Sequence, residues 1–238
     1  MRVLLVKTGT TVPHVRERRG DFEAWFAAGM DLPQSAMEVL AVYQGTQLPE
    51  SYKVDAIVVT GSASMITDHA PWSEATAAWL RGVIAGGTPL LGVCYGHQLI
   101  AHAMGGEIGD NPNGRQIGTI DVTLTQAGMG DPLFRHFPET LHVPASHVQS
   151  VLKLPPDARI LGTSARDPHH AFAIGDRVWA VQFHPEFDAE IVRGYVEARW
   201  DVIAEEGLDP RALFDGAIDT ADGARLLRRF AHMVRAGL

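Results

Sequence analysis

Pro89-Leu-Leu-Gly-Val-Cys-Tyr-Gly-His-Gln-Leu-Ile-Ala-His-Ala-Met-Gly-Gly106 is the stretch on which the fold turns. An apolar β-type run, Pro89–Val93, ends at Cys94, and a helix opens near Gly96. Gly92 and Gly96 stand two residues either side of the cysteine and permit a sharp strand-to-helix turn. Such an elbow lifts the sulfur above a sheet edge and holds it in a strained backbone position. It also puts Cys94 at a helix N-terminus, whose partial positive charge favours a thiolate. The N–H of Tyr95 would then point into the site as an oxyanion donor. The plainer reading of a lone cysteine is a small buried apolar residue at a strand end.

Outward from the elbow, Arg2–Val6 and Ala56–Val59 are further continuous apolar runs, as expected of strands buried on both faces of a parallel sheet. Between Ala56–Val59 and Pro89–Val93 lies Ser73–Ala85, with Trp79, Leu80, Val83 and Ile84 at helical spacing, which makes a βαβ unit. Glu38–Tyr43 supplies a candidate additional strand. From Ile117 the texture changes to short alternating pieces, Ile117–Thr125, Thr140–Val143, Ala158–Gly162 and His170–Ile174, read as an antiparallel excursion. Val178–Phe183 returns to a buried-strand pattern and Ala189–Ala204 reads as one helix. Leu208–Leu238 reads as one or two more, with Leu226, Leu227, Phe230 and Met233 on one face of the last. The expected organisation is one α/β domain over 1–205, interrupted by an insertion at about 11–34 and followed by a helical extension over 206–238. The aromatic residues of the insertion, Phe22, Trp25 and Phe26, either cap a pocket or pack on the core.

A cysteine nucleophile needs a base, and the base needs an orienting group. Val178-Trp-Ala-Val-Gln-Phe-His-Pro-Glu-Phe187 offers both. The strand is expected to end at Phe183, so His184 falls at the carboxyl edge of the sheet, where open α/β folds build their sites. Pro185 fixes the backbone between His184 and Glu186, so Glu186 can hold one imidazole nitrogen while the other faces Cys94. By itself His-Pro-Glu is a weak signal, and His184 reads equally as a loop histidine. Ala56-Ile-Val-Val-Thr-Gly-Ser-Ala-Ser-Met65 runs a strand into a turn where Gly61 could complete an oxyanion hole, although a plain turn would use the same residues. Ser146 and His147, in Val143-Pro-Ala-Ser-His-Val-Gln149, are either site-lining or structural.

The remaining composition narrows the classes. The chain has 238 residues, 46% hydrophobic and 20% charged, ordinary for a globular domain, and its net charge of −8 argues against nucleic-acid or membrane-surface binding. With one cysteine, neither an intramolecular disulfide nor a Cys-based metal cluster can form. No run approaches a membrane span, and the N-terminal apolar stretch is too short for a signal peptide, so a cytoplasmic location is expected. Phosphate-loop, dinucleotide and HExxH patterns are all missing, so neither a cofactor nor a metal is expected.

Together, Gly92-Val-Cys-Tyr-Gly-His-Gln98, His184-Pro-Glu186 and Thr60-Gly-Ser-Ala-Ser64 resemble the class I (triad) glutamine amidotransferases. The resemblance runs from about Val3 to Phe187. It implies a flavodoxin-like three-layer α/β/α fold, with a mostly parallel central sheet, and hydrolysis of glutamine through a γ-glutamyl thioester. It makes Cys94 the nucleophile, His184 the base and Glu186 its orienting acid, with Gly61 and Tyr95 as oxyanion donors. It places Gln98, Ser146 and His147 against the substrate. Gly105-Gly-Glu-Ile-Gly and Gly114-Arg-Gln-Ile-Gly118 look most like the amidotransferase part of GMP synthetase and its free-standing relatives. Two features depart from that branch. Ser146-His-Val-Gln149 stands where it has Ser-His-x-Asp, and no Ser-Gly-Gly-x-Asp-Ser phosphate loop is present, so GMP synthesis is not expected of this chain alone. The expected activity is therefore a glutaminase, free-standing or feeding ammonia to a separate synthetase. The alternatives are a γ-glutamyl peptidase acting on conjugates and a non-catalytic regulatory member.

Overall fold

A computed structural model describes residues 1–238. In chain order the elements are β1 (Val3–Lys7), α1 (Pro13–Arg19), α2 (Phe22–Gly29), β2 (Met37–Ala41), β3 (Ala56–Val59), α3 (Pro71–Ala85), β4 (Leu90–Val93) and α4 (Tyr95–Ala103). Then come β5 (Glu107–Asp110), β6 (Gln116–Leu124), α5 (Gln126–Gly130), β7 (Thr140–His147), β8 (Gln149–Lys153), β9 (Ala158–Ser164), β10 (Ala171–Ile174) and β11 (Val178–Val181). Four helices close the chain: α6 (Ala189–Glu197), α7 (Trp200–Glu205), α8 (Pro210–Asp215) and α9 (Ala221–Arg235).

One nine-stranded sheet organises the molecule, in the order β2-β1-β3-β4-β11-β10-β9-β6-β7. The first five strands are parallel neighbours. The antiparallel excursion continues the same sheet from β11, through β10 and β9 to β6 and β7. β5 and β8 pair separately. Along β1 the side chains alternate between the layers: Val3 and Leu5 join the core beneath α1, α2, α6 and α9, while Leu4 and Val6 join the core beneath α3 and α4. The result is an α/β/α sandwich in which every residue of β1, β3, β4, β10 and β11 is buried.

Three expectations need adjustment. The strand expected over Val178–Phe183 ends at Val181, and Gln182 donates its N–H to His170 O at 2.8 Å as the chain leaves the sheet. Ala189–Ala204 is two helices, broken at Ala198–Arg199, where Arg199 takes φ −124° and ψ 16°. In α9, Leu226, Leu227 and Phe230 are fully buried in the same core as Val3 and Leu5, so this tail helix is part of the sandwich.

The 11–34 segment is tied to the sheet by charge as well as by apolar contact. Lys7, at the carboxyl end of β1, ion-pairs with Asp21 at 2.9 Å and Glu23 at 2.6 Å, and Lys7 and Asp21 are both buried. Burial alone would lower the Lys7 pKa, but the two carboxylates outweigh it and raise it. Asp21 Oδ1 accepts the N–H groups of Thr11 and Phe22, which caps α2 and fixes the loop before α1. Lys7→Met should therefore leave buried Asp21 with only the largely exposed Arg16, at 3.7 Å, as counter-charge. The expected loss of about 3 kcal/mol in urea unfolding is to be compared with a loss under about 1 kcal/mol for the exposed pair variant Lys153→Met.

Candidate active site

The carboxyl ends of β1, β3, β4 and β11 converge on one edge and deliver Thr8, Thr60–Gly61, Cys94 and Gln182–His184 to it. Cys94 has φ 53° and ψ −103°, a left-handed position that a non-glycine residue seldom occupies. Two hydrogen bonds pin the elbow: Cys94 N–H to Val181 O at 2.9 Å and Gly96 N–H to Thr60 O at 3.1 Å. The second shows why position 96 is glycine. A Cβ there would lie 2.4 Å from Val59 O and 2.9 Å from Val59 Cβ. The strain expected of a cysteine on such an elbow is present in the backbone.

The Thr60–Gly61 turn is held by Thr8, whose hydroxyl donates to Thr60 O at 2.9 Å or Gly61 O at 3.0 Å. No carbonyl accepts the N–H of Gly61 or of Tyr95, so both remain free at the elbow. A Cβ on Gly61 would meet the His184 ring at 2.8 Å, so only glycine lets this turn reach the imidazole. The Tyr95 side chain points the other way, stacked on Trp72 and hydrogen-bonded to Ser73 at 2.6 Å, and burial pushes its pKa up to about 12.

His184 Nδ1 lies 2.8 Å from Glu186 Oε1, and the Glu186 side chain is inaccessible to solvent. Cys94 and His184 stand together on the wall of one cavity. Burial alone would lower the His184 pKa. The charges of Glu186 and Cys94, with their hydrogen bonds, outweigh it and raise it to about 10, which favours the protonated ring. Phe187 stacks on the imidazole with centroids 4.0 Å apart, and Phe22, Trp25 and Tyr195 pack around Phe187 in turn. The insertion aromatics thus buttress the ring plane, and Phe22 also walls a cavity beside it.

The other expected residues divide. Ser146 O is 3.9 Å from Cys94 Sγ. Gln98 lines the cavity, but its amide N–H groups are spent on Gln149 O at 2.8 Å and Gln182 Oε1 at 2.9 Å, a bracing role. His147 has a side chain only 1% exposed, so it is the backbone that reaches the cavity wall. Burial lowers its ring pKa to about 3, so the 3.6 Å approach to Asp167 is no ion pair.

Two arginines escaped the sequence reading as site residues. Arg115 and Arg199 both line the cavity of about 250 Å³ that opens on Cys94, Gln98 and Ser146. Arg115 is bound bidentately by Glu206, at 2.7 and 2.9 Å. Arg199 has no carboxylate partner. It lies 4.8 Å from the Tyr195 ring centre and donates to Tyr195 O at 3.3 Å. Nothing local marks Arg199, since a basic residue at a helix end ordinarily faces solvent. Arg115 sits inside the quoted Gly114–Gly118 motif, which was a usable signal.

The model of the class-I glutamine amidotransferase family matches residues 32–193. The chain belongs to that family. It is 38% identical over 155 residues to a GMP synthase (glutamine-hydrolyzing) of Aeropyrum pernix, which covers 65% of this chain but only 27% of that enzyme. It is 30% identical over 146 residues to gamma-glutamyl peptidase 3 of Arabidopsis thaliana, covering 59% of this chain and 57% of the relative. A glutamine amidotransferase of known structure from Thermotoga maritima superposes with a TM-score of 0.77 over 98% of this chain and 97% of its own, at 22% identity, and so shares the flavodoxin-like fold. No helix is long and apolar enough to cross a membrane.

Proposed function

We propose that this family member hydrolyses γ-glutamyl amides, glutamine the simplest of them, through a thioester on Cys94. The reading is carried by a single observation: a strained elbow cysteine shares a cavity with a histidine whose Nδ1 is 2.8 Å from a buried carboxylate. In this mechanism the sulfur attacks the γ-carbonyl carbon while Gly61 and Tyr95 N–H groups take the developing oxyanion. The C–N bond then breaks, and His184 passes its proton to the departing amine. Water, activated by the now neutral His184, attacks the thioester, breaks the C–S bond and releases glutamate. Ser146 and the backbone at His147 line the space for the glutamyl part. Of the relatives' printed activities, glutamine hydrolysis implies ammonia delivery to a separate synthetase, and γ-glutamyl peptidase implies larger leaving groups.

The test is to incubate the protein with glutamine and with γ-glutamyl amides, follow amine release, and look by mass spectrometry for a glutamyl adduct on the Cys94 peptide of acid-quenched samples. Release of amine with acylation of Cys94 is the expected result; neither release nor acylation with any γ-glutamyl amide overturns the reading.

Glu186→Gln provides a pH test with a defined sign. Removing the carboxylate takes away the largest influence holding the His184 proton, so the ring deprotonates at lower pH. The alkaline limb of kcat/KM should move down by at least about one pH unit, with turnover falling about a hundredfold. An unmoved alkaline limb would show that Glu186 does not orient the base.

A further inference from the structure

Cys94 stands at the junction of two cavities. One, of about 250 Å³, lies on the Gln98 and Ser146 side. The other, of about 270 Å³, lies on the His184 side, walled by Thr11, Val12, Pro13 and Phe22 of the 11–34 insertion, with Arg199 at the border of both. The proton donor to the departing amine is His184, so the second cavity is where a leaving group must go. Ammonia is about as large as water and needs about 30 Å³. Glutamine hydrolysis therefore leaves that space unexplained.

Its chemistry is specific. Arg199 is partly buried, with no carboxylate within ion-pair distance, whereas its neighbour Arg115 is already satisfied by Glu206. An aromatic ring on one side and one backbone carbonyl hold the guanidinium in place and leave most of its donors free. The floor is apolar, from Val12, Pro13 and Phe22, with the Thr10 and Thr11 side of the loop polar.

We infer that the cavity on the His184 side is a leaving-group subsite, in which Arg199 receives the α-carboxylate of an amino acid joined to glutamate through its γ-amide. This rests on the γ-glutamyl hydrolysis proposed above and names its substrate class as γ-glutamyl amino acids. The overall reaction takes up one water: the γ-amide C–N bond breaks, glutamate leaves with the water oxygen, and the amino acid leaves with the proton donated by His184. Arg199 touches neither reacting atom; it positions the leaving group by a planar two-point grip on a carboxylate.

The decisive comparison is γ-glutamylglycine against γ-glutamylglycinamide, which has the same shape without the charge. Wild-type protein should prefer the carboxylate by about tenfold or more in kcat/KM, mostly through KM. In Arg199→Gln that preference should collapse toward unity, and Arg199→Lys should restore part of it. Equal loss on both substrates in Arg199→Gln, or no preference in the wild type, overturns the inference. Calorimetric binding of both compounds to Cys94→Ala, with and without Arg199→Gln, separates it from the reading it rests on. Failure of all turnover counts against the hydrolase, while loss of the tenfold binding preference in the double variant still supports the subsite. Equal binding of both compounds to Cys94→Ala overturns the subsite whatever the turnover.

Discussion

Cys94→Ala is expected to lower turnover of every γ-glutamyl amide by about 10⁴-fold or more while leaving the fold intact. The size follows from the covalent route: without the sulfur no acyl-enzyme forms, and the oxyanion donors alone give little to a direct attack by water. Retention of the fold follows from the packing. The side chain is small, its polar neighbours are Ser146 O at 3.9 Å and the His184 ring, and the elbow is held by backbone bonds at Cys94 and Gly96 that alanine keeps. Unfolding free energy should change by less than about 1 kcal/mol. Amine release measured beside circular dichroism checks both halves. Full activity in a well-folded Cys94→Ala protein would remove the nucleophile assignment and the thioester with it.

Gly96→Ala should cripple the nucleophile elbow with a single methyl group. Its Cβ would stand 2.4 Å from Val59 O and 2.9 Å from Val59 C, and backbone atoms of a central strand cannot rotate aside. Either α4 lifts from β3 or the elbow opens, and each breaks the Gly96 N–H bond to Thr60 O that ties the nucleophile turn to the Gly61 turn. The expected cost is about 3 kcal/mol or more, with hydrolysis lost even in the fraction that folds. Gly82→Ala supplies the control. That glycine lies within α3 with open space around its Cβ position, so alanine there should be neutral or stabilising by up to about 1 kcal/mol. Urea unfolding of the two variants side by side decides the point; equal stabilities would mean that the elbow is not under the steric constraint described.

Much of this architecture was legible because its signals are local. Continuous apolar runs at Val3–Val6, Ala56–Val59 and Leu90–Val93 suit strands covered on both faces, and all three are such strands. Glycines spaced around a cysteine permit very few turns. Likewise, Pro185 leaves His184 and Glu186 little choice but to lie side by side, and they do, at 2.8 Å. Less legible was anything set by packing between distant elements. Gln182–Phe183 fall beyond β11 because its other neighbour, β4, ends at Val93, and Gln182 keeps only the β10 side through His170 O while its side chain accepts from Gln98, none of which is visible in the strand's own pattern.

The sequence by itself determined the parallel core, the cysteine elbow with its strain, and the pairing of His184 with Glu186, because each depends on residues within a few positions of one another. Tertiary structure alone decided what surrounds them. The helix running from Ala189 breaks at Arg199 although Glu197-Ala-Arg-Trp200 contains neither glycine nor proline, and that break turns a guanidinium to the site instead of to solvent. The 11–34 insertion became a cavity wall and a brace for the His184 ring through Phe22, Trp25 and Phe187, and α9 of the C-terminal tail became part of one layer over the core. Such contacts join positions far apart in the chain, and their energy appears only when the sheet brings them together.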